Sequence, residues 1–272
     1  MQPSREISGG GALNELIVEV WRGLRLLLSR PSLILINVLT APLWLAFFIL
    51  TLRGFGVLSL GRQILQLFLW AAYAFTLYSS WLWGFGHGLI QESSEGILES
   101  LMSITRGLLN HIIGWGIAYA IYSLLDFAAL IFSFYIVFGL VLEIRHPLIL
   151  ALSIVLASFE LLLISTIYAM LVIRLRSSWV ITNIMQFLMP VLGGLIPSET
   201  NKYVTLINEH SPIAYPFVLM RESALGYLEI PIPIPYQLII SLVTVLLLFV
   251  MTALLVRLFD RRLRYEGKLG LA

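Results

Sequence analysis

Between Leu148 and Ile173 the chain runs uninterrupted through aliphatic, aromatic and small residues with a single charged side chain, Glu160. A helix needs about 20 such residues to cross the hydrocarbon core of a bilayer. The run is continuous where a half-buried strand would alternate, so a barrel strand is excluded. Other runs meet or approach the same length near Leu33 to Leu52, Ile64 to Ile90, Leu108 to Leu142, Ser178 to Ile196 and Pro235 to Val256. The expectation is therefore an all-α integral membrane protein with six transmembrane helices. The run at 108–142 exceeds the membrane thickness and is expected to tilt or to project into water.

Composition agrees with this. Hydrophobic residues make up 59% of the 272 residues and charged residues 12%, against roughly 25% charged in soluble domains. That leaves too little polar surface for a water-soluble globule, and no room for a separate soluble domain. Cysteine is absent, which excludes disulfide and thiol chemistry. The first residues, MQPSREISGGGALNE, lack the apolar core of a cleaved signal, so the first span is expected to serve as the insertion signal.

Ahead of that span lies Ala12 to Ser29. Leu13, Leu16, Ile17, Val20, Leu24, Leu27 and Leu28 share one helical face, and Glu15, Glu19, Arg22 and Arg25 fall mostly on the other. Such a helix is expected to lie in the membrane interface. The Arg30-Pro31 step then permits a turn into the first span. With six spans and both termini in the cytoplasm, 12 of the 17 Lys and Arg fall inside, and the other 5 (Arg53, Arg62, Arg145, Lys202, Arg221) fall outside. This asymmetry sets the expected orientation in the plasma or inner membrane. The outer segment from Pro197 to Pro235, broken by Pro212 and Pro216, suits short helices dipping into the outer leaflet and is not a span.

Catalytic signatures are missing. No G-x-x-x-x-G-K-[ST] loop occurs, and no G-x-S-x-G elbow. His87, His111, His146 and His210 are scattered without metal-ligand spacing. In Gly84-Phe-Gly86-His-Gly88 the pair Gly84 and Gly88 has the small-xxx-small spacing that brings membrane helices close. The chain is thus expected to be no enzyme, to hold no metal and to bind no nucleic acid. Two carboxylates, Asp126 and Glu160, lie inside apolar runs, where an ionised group costs about 3 kcal/mol on insertion scales. They are candidates for a translocation path, as a cation contact or proton site, or else for hydrogen-bonded packing.

Between the second and third runs lies a short acidic stretch, Gln91 to Thr105. Glu92, Glu95 and Glu99 recur at helical spacing, and Ile97, Leu98, Leu101 and Ile104 supply an apolar side. The stretch is expected to form a cytoplasmic amphipathic helix, capped by Ser93 or Ser94. Anionic headgroups would repel its glutamates, so a groove on a soluble partner suits it better.

These residues resemble the permease subunits of type-2 ABC transporters, a class of drug, lipid and polysaccharide exporters. Glu92, Gly96, Leu98, Glu99 and Leu101 stand in register with that family's "E-x-x-x-G-T-L-E-x-L" pattern. Ile97 replaces its Thr, and Thr105-Arg106 stands where Thr-Pro is common. The stretch MPVLGGLIP with Pro190 and Pro197, then Ser211 to Tyr215 and Arg221, is similar to the family's glycine-bearing fifth span, outer helices and later Arg. The amphipathic helix before the first span looks like its connecting helix. The resemblance implies a coupling segment (Glu92, Glu95, Gly96, Leu98, Glu99, Leu101, with Arg174 and Arg176 as a second contact) gripped by two copies of a separate ATPase subunit. ATP and Mg would be bound by that partner, with no cofactor in this chain. It also implies a second permease copy or homologue, and alternating access for a hydrophobic or amphiphilic substrate of drug or lipid type. The basic, Tyr-containing stretch typical of the polysaccharide branch is absent. Two other readings remain open: an ion-coupled transporter or channel using Asp126 and Glu160, and a membrane anchor that recruits a soluble complex.

Overall fold

The computed structural model describes residues 10–29, 43, 50, 61–98, 108–175, 178–198 and 201–266. Among them every regular element is helical: α1 (Gly10–Leu28), α2 (Arg62–Ser79), a π-helical segment (Ser80–Gly86), α3 (His87–Ser94), α4 (Leu108–Phe138), α5 (Pro147–Leu175), α6 (Ser178–Leu192), α7 (Lys202–His210), α8 (Tyr215–Leu225) and α9 (Ile234–Glu266).

Three of these are long and apolar enough to cross a membrane: Leu108–Phe138, Pro147–Leu175 and Ile234–Phe259, with mean hydropathies of 2.0, 2.5 and 2.9. The expected span at 33–52 lies outside the described residues, apart from isolated positions. The expected span at 64–90 falls within the helical rod formed by α2, the π-helical segment and α3. The fifth expected span, 178–196, is shorter than predicted. It ends at Leu192, because Gly194 adopts φ +66° and a Cβ there would lie 2.7 Å from that of Ala214. Fifteen residues at about 1.5 Å each fall short of the hydrocarbon thickness of about 30 Å.

The ends of the long helices have local causes. Gly139, at φ +64°, caps α4, and its N–H returns to the Tyr135 carbonyl at 2.9 Å. Pro147 opens α5, where its missing N–H has no cost and its φ is already helical. The connection between them is pinned to α8: Arg145 N–H and His146 N–H donate to the Ala224 and Ser223 carbonyls.

Helix α5 is the axis of the bundle. In its most apolar window 61% of residues are buried, against 22% for α4 and α9. It packs against α8, α9 and the π-helical segment. The widened π turn fits there because Gly86 lies against Tyr168 of α5, and Gly84 against Tyr119 of α4. On the N-terminal side of that turn, Trp70 and Tyr73 of α2 enclose Phe127 of α4, at centroid distances of 5.6 and 4.3 Å.

Helix α1 lies along α4, and glycines allow the contact. A Cβ at Gly114 would meet Glu19 Cβ at 2.5 Å, and one at Gly23 would meet Ala118 Cβ at 2.8 Å. The amphipathic expectation needs one change. Glu19, only 7% exposed, faces the protein, whereas Arg25 is exposed together with Ile17, Val18, Trp21 and Leu28, and Leu27 of the apolar face packs against the core.

Candidate functional site

Where α1 crosses the start of α4, four side chains from three segments converge. His111, in the first turn of α4, is fully buried and has a carboxylate at each ring nitrogen. Glu19 Oε2 lies 2.9 Å from Nδ1, and Glu92 Oε2 lies 2.9 Å from Nε2. Arg22 closes the cluster, with Nε 3.3 Å from Glu19, Nη2 3.7 Å from Glu92 and Nη2 3.0 Å from His111 Nδ1. The His111 ring stacks on Trp115 at 5.7 Å. Glu19 and Arg22 reach the site together because residues three apart share a helix face. Glu92 is supplied by α3, which the π-helical segment carries in from α2. The cluster therefore ties the amphipathic helix, the head of the acidic segment and the foot of a long apolar helix to one another.

The acidic segment departs from its expected form. A single helix over 91–105 does not occur: α3 ends at Ser94, and Gly96 turns at φ +71°. Left-handed backbone ends a helix, and glycine adopts it without steric cost. Ser94 accordingly sits at a helix end and not at a start, donating to the Gln91 carbonyl at 2.8 Å. Glu92 turns inward to His111. Glu95 stays exposed and accepts from Gln91 Nε2 at 2.7 Å, while Leu98 is fully buried in the core. Arg174 is exposed in the last turn of α5. Glu99, Leu101 and Arg176 lie outside the described residues.

Gly84 and Gly88 both face α4. A Cβ at Gly84 would run into the Tyr119 hydroxyl, and one at Gly88 would meet the Trp115 ring at 2.5 Å. Asp126 and Glu160 are not joined by any hydrogen bond among the described residues. Asp126 accepts from Ser80 Oγ at 3.1 Å, whereas Glu160 is fully buried with neither carboxyl oxygen partnered. No group of His, Cys, Asp and Glu suited to a metal ion occurs among the described residues.

A second buried polar cluster lies in the segment between α6 and α9. Arg221, with no exposed surface, donates through Nε and Nη2 to the two oxygens of Glu229, and through Nη1 to the Gly194 carbonyl, each at 2.7 Å. Beside it, Glu222 accepts from the Glu229 and Ile230 N–H groups at 2.7 and 3.2 Å, and from Gln237 Nε2 at 2.8 Å. The cluster thus fastens α8, the 226–233 loop, the end of α6 and the start of α9 together. The sequence marked Arg221 only through the family pattern; neither Glu229 nor Glu222 carries a local signal.

Burial pushes the Glu222 carboxyl up to about 7, against the opposing pull of its hydrogen-bond donors. Folded Glu222 therefore keeps its proton to a higher pH than it would in an unfolded chain, whose reference value is 4.5. Its contribution to stability is complete below that reference and is lost as pH rises through about 7. The melting temperature of the full chain is expected to fall between pH 5 and pH 8 by more than that of Glu222→Gln, which does not titrate. Parallel profiles for the two proteins would contradict this.

No family model, no curated protein and no solved structure matches this chain.

Proposed function

We propose that the chain is the membrane-spanning permease subunit of an ATP-driven exporter of the type-2 ABC kind, moving a hydrophobic or amphiphilic substrate. In this reading the chain crosses the membrane six times, the short α6 together with the turn that follows it making the fifth crossing, both termini are cytoplasmic, and two permease copies pair. A separate ATPase subunit binds ATP and Mg. The observation that carries it is the convergence of Glu19, Arg22, Glu92 and His111. A push on the acidic turn reaches α1 and α4 as one body, because hydrogen-bonded charges at a buried junction resist separation. The exposed Glu95 and the turn at Gly96 form the surface that a partner grips, while Glu92 holds the lever together from inside.

The roles of the glutamates then differ in a testable way. Glu95→Lys is expected to cut recovery of a co-purifying ATP-hydrolysing subunit several-fold while leaving the permease folded. Undiminished ATPase recovery with Glu95→Lys would remove the acidic turn from the interface. The unpartnered carboxyl of Glu160 favours a second reading, an ion-coupled transporter. Transport by the isolated chain in proteoliposomes without nucleotide would select that alternative.

A further inference from the structure

At the junction of α1, α3 and α4 the central ring has more partners than it can serve in one state. A neutral imidazole offers one N–H and one lone pair, and only the imidazolium offers two N–H groups. His111 has a carboxylate at each nitrogen, so only the doubly protonated ring donates to both Glu19 and Glu92. Yet Nδ1 also has the Arg22 guanidinium within reach, with Nη2 at 3.0 Å beside Glu19 Oε2 at 2.9 Å. A donor and an acceptor thus compete for one nitrogen. With its proton, Nδ1 donates to Glu19. Without it, Nδ1 accepts from Arg22 and turns a lone pair on the Glu19 carboxylate.

Charge separates the same two states. With an imidazolium, the cations Arg22 and His111 match the carboxylates Glu19 and Glu92. Loss of the ring proton leaves one carboxylate unmatched at a buried junction, which is costly. Glu15, one turn before Glu19 on α1, adds a carboxylate oxygen that is buried without a partner among the described residues. No replacement cation stands nearby among those residues. Arg25 of α1 is exposed, and so are His87 and Glu95 at either end of α3. The π-helical segment has no charged residue, and the other charge of α4, Asp126, lies about four turns away. Helix α5 carries only Glu160, deep in the bundle, and the exposed Arg174. A Cβ on Gly114 would lie 2.5 Å from that of Glu19, so repulsion at this carboxylate acts where α1 and α4 approach closely. The Arg22 side chain, 33% exposed, opens the cluster to water and so to protons.

We infer that His111 is a proton-operated latch, holding α1 against α4 while both ring nitrogens carry protons and loosening it when Nδ1 is bare. Histidine is the side chain suited to such a role near neutral pH. The docked state binds the proton, so docking is complete on the acid side and declines as pH rises. As a control on transport the latch rests on the permease reading, because it loosens the lever that an ATPase pushes. As a switch in the position of α1 it does not, and its test involves neither ATPase nor substrate.

The chain has no cysteine, so spin labels attach only at introduced ones. Val18→Cys on α1 and Ile121→Cys on α4, both at exposed positions, are labelled in the full chain in phosphatidylcholine nanodiscs. Their separation is read by double electron–electron resonance at pH 6 and pH 9. One short distance is expected to dominate at pH 6 and to lose most of its population to longer ones at pH 9. Glu19→Gln is expected to keep the short distance at both values, because an amide accepts from an N–H and donates to a bare nitrogen. His111→Gln, which takes up no second proton, is expected to give the same distribution at both. A distance in the unmodified junction that does not change with pH overturns the proposal without recourse to either variant, and so does loosening on the acid side. A Glu19→Gln protein loosened at both values marks a purely structural tie and overturns it too. Either variant still responding to pH places the titrating group elsewhere, with the same consequence.

Discussion

Arg221→Met is expected to lower the stability of the full chain by about 3–5 kcal/mol, the usual cost of stranding one partner of a buried ion pair. Glu229 has 1% of its side chain exposed, and Arg221 has none. Without the guanidinium, the Glu229 carboxylate keeps, among the described residues, only the Ser198 N–H at 2.7 Å, and the Gly194 carbonyl loses the Arg221 donor. Set against a typical total of 5–15 kcal/mol, roughly, for a folded domain, such a loss removes much of the folded population. Lysine carries the charge but not the planar fork that meets both carboxylate oxygens, so Arg221→Lys should fall between. The double variant Arg221→Met with Glu229→Met should recover most of the loss, because an apolar pair strands no charge. The measurement is unfolding of the detergent-solubilised chain. If Arg221→Met melts with the unmodified protein, this cluster does not hold the segment between α6 and α9.

His111→Ala carries the second large effect, and it bears on function. It removes the ring that separates Glu19 from Glu92, leaving two carboxylates to share one guanidinium at a junction with little water. The expected destabilisation is about 2–4 kcal/mol, below the fully buried case because the Arg22 side chain is 33% exposed and solvent screens it. Hydrogen exchange should rise throughout α1, since α1 meets α4 at this junction. Combining His111→Leu with Glu19→Gln and Glu92→Gln should restore much of the stability while removing the charged tie. That triple variant separates folding from force transmission. In the proposed exporter it is expected to keep its ATPase partner yet lose coupling between ATP hydrolysis and substrate movement. A triple variant that transports normally would show that the charged junction serves folding alone.

How far the primary structure reached can be argued residue by residue. The long apolar runs predicted helices at 108–142 and 148–173, and the structure has α4 and α5 there, ending or starting at Gly139 and Pro147. Pro212 and Pro216 predicted short helices, and the structure has α7 ending at His210 and α8 running from Tyr215 to Leu225. The widened turn at Ser80–Gly86 had no signature, because an aromatic and glycine mixture suits ordinary helix packing as well. Glu92, Glu95 and Glu99 read as one exposed stripe on periodicity alone. Gly96 broke that stripe with a left-handed residue, and His111 drew Glu92 inside.

Hydropathy, helix length and chain breaks are local, since each follows from the backbone and side chains of a short window. These the sequence determined for this protein by itself. The partners of its buried charges are not local. Glu19 and His111 meet across 92 positions and Arg22 and His111 across 89. The tertiary structure decided those features, because electrostatic and packing energies depend on distances that no periodicity in the chain encodes.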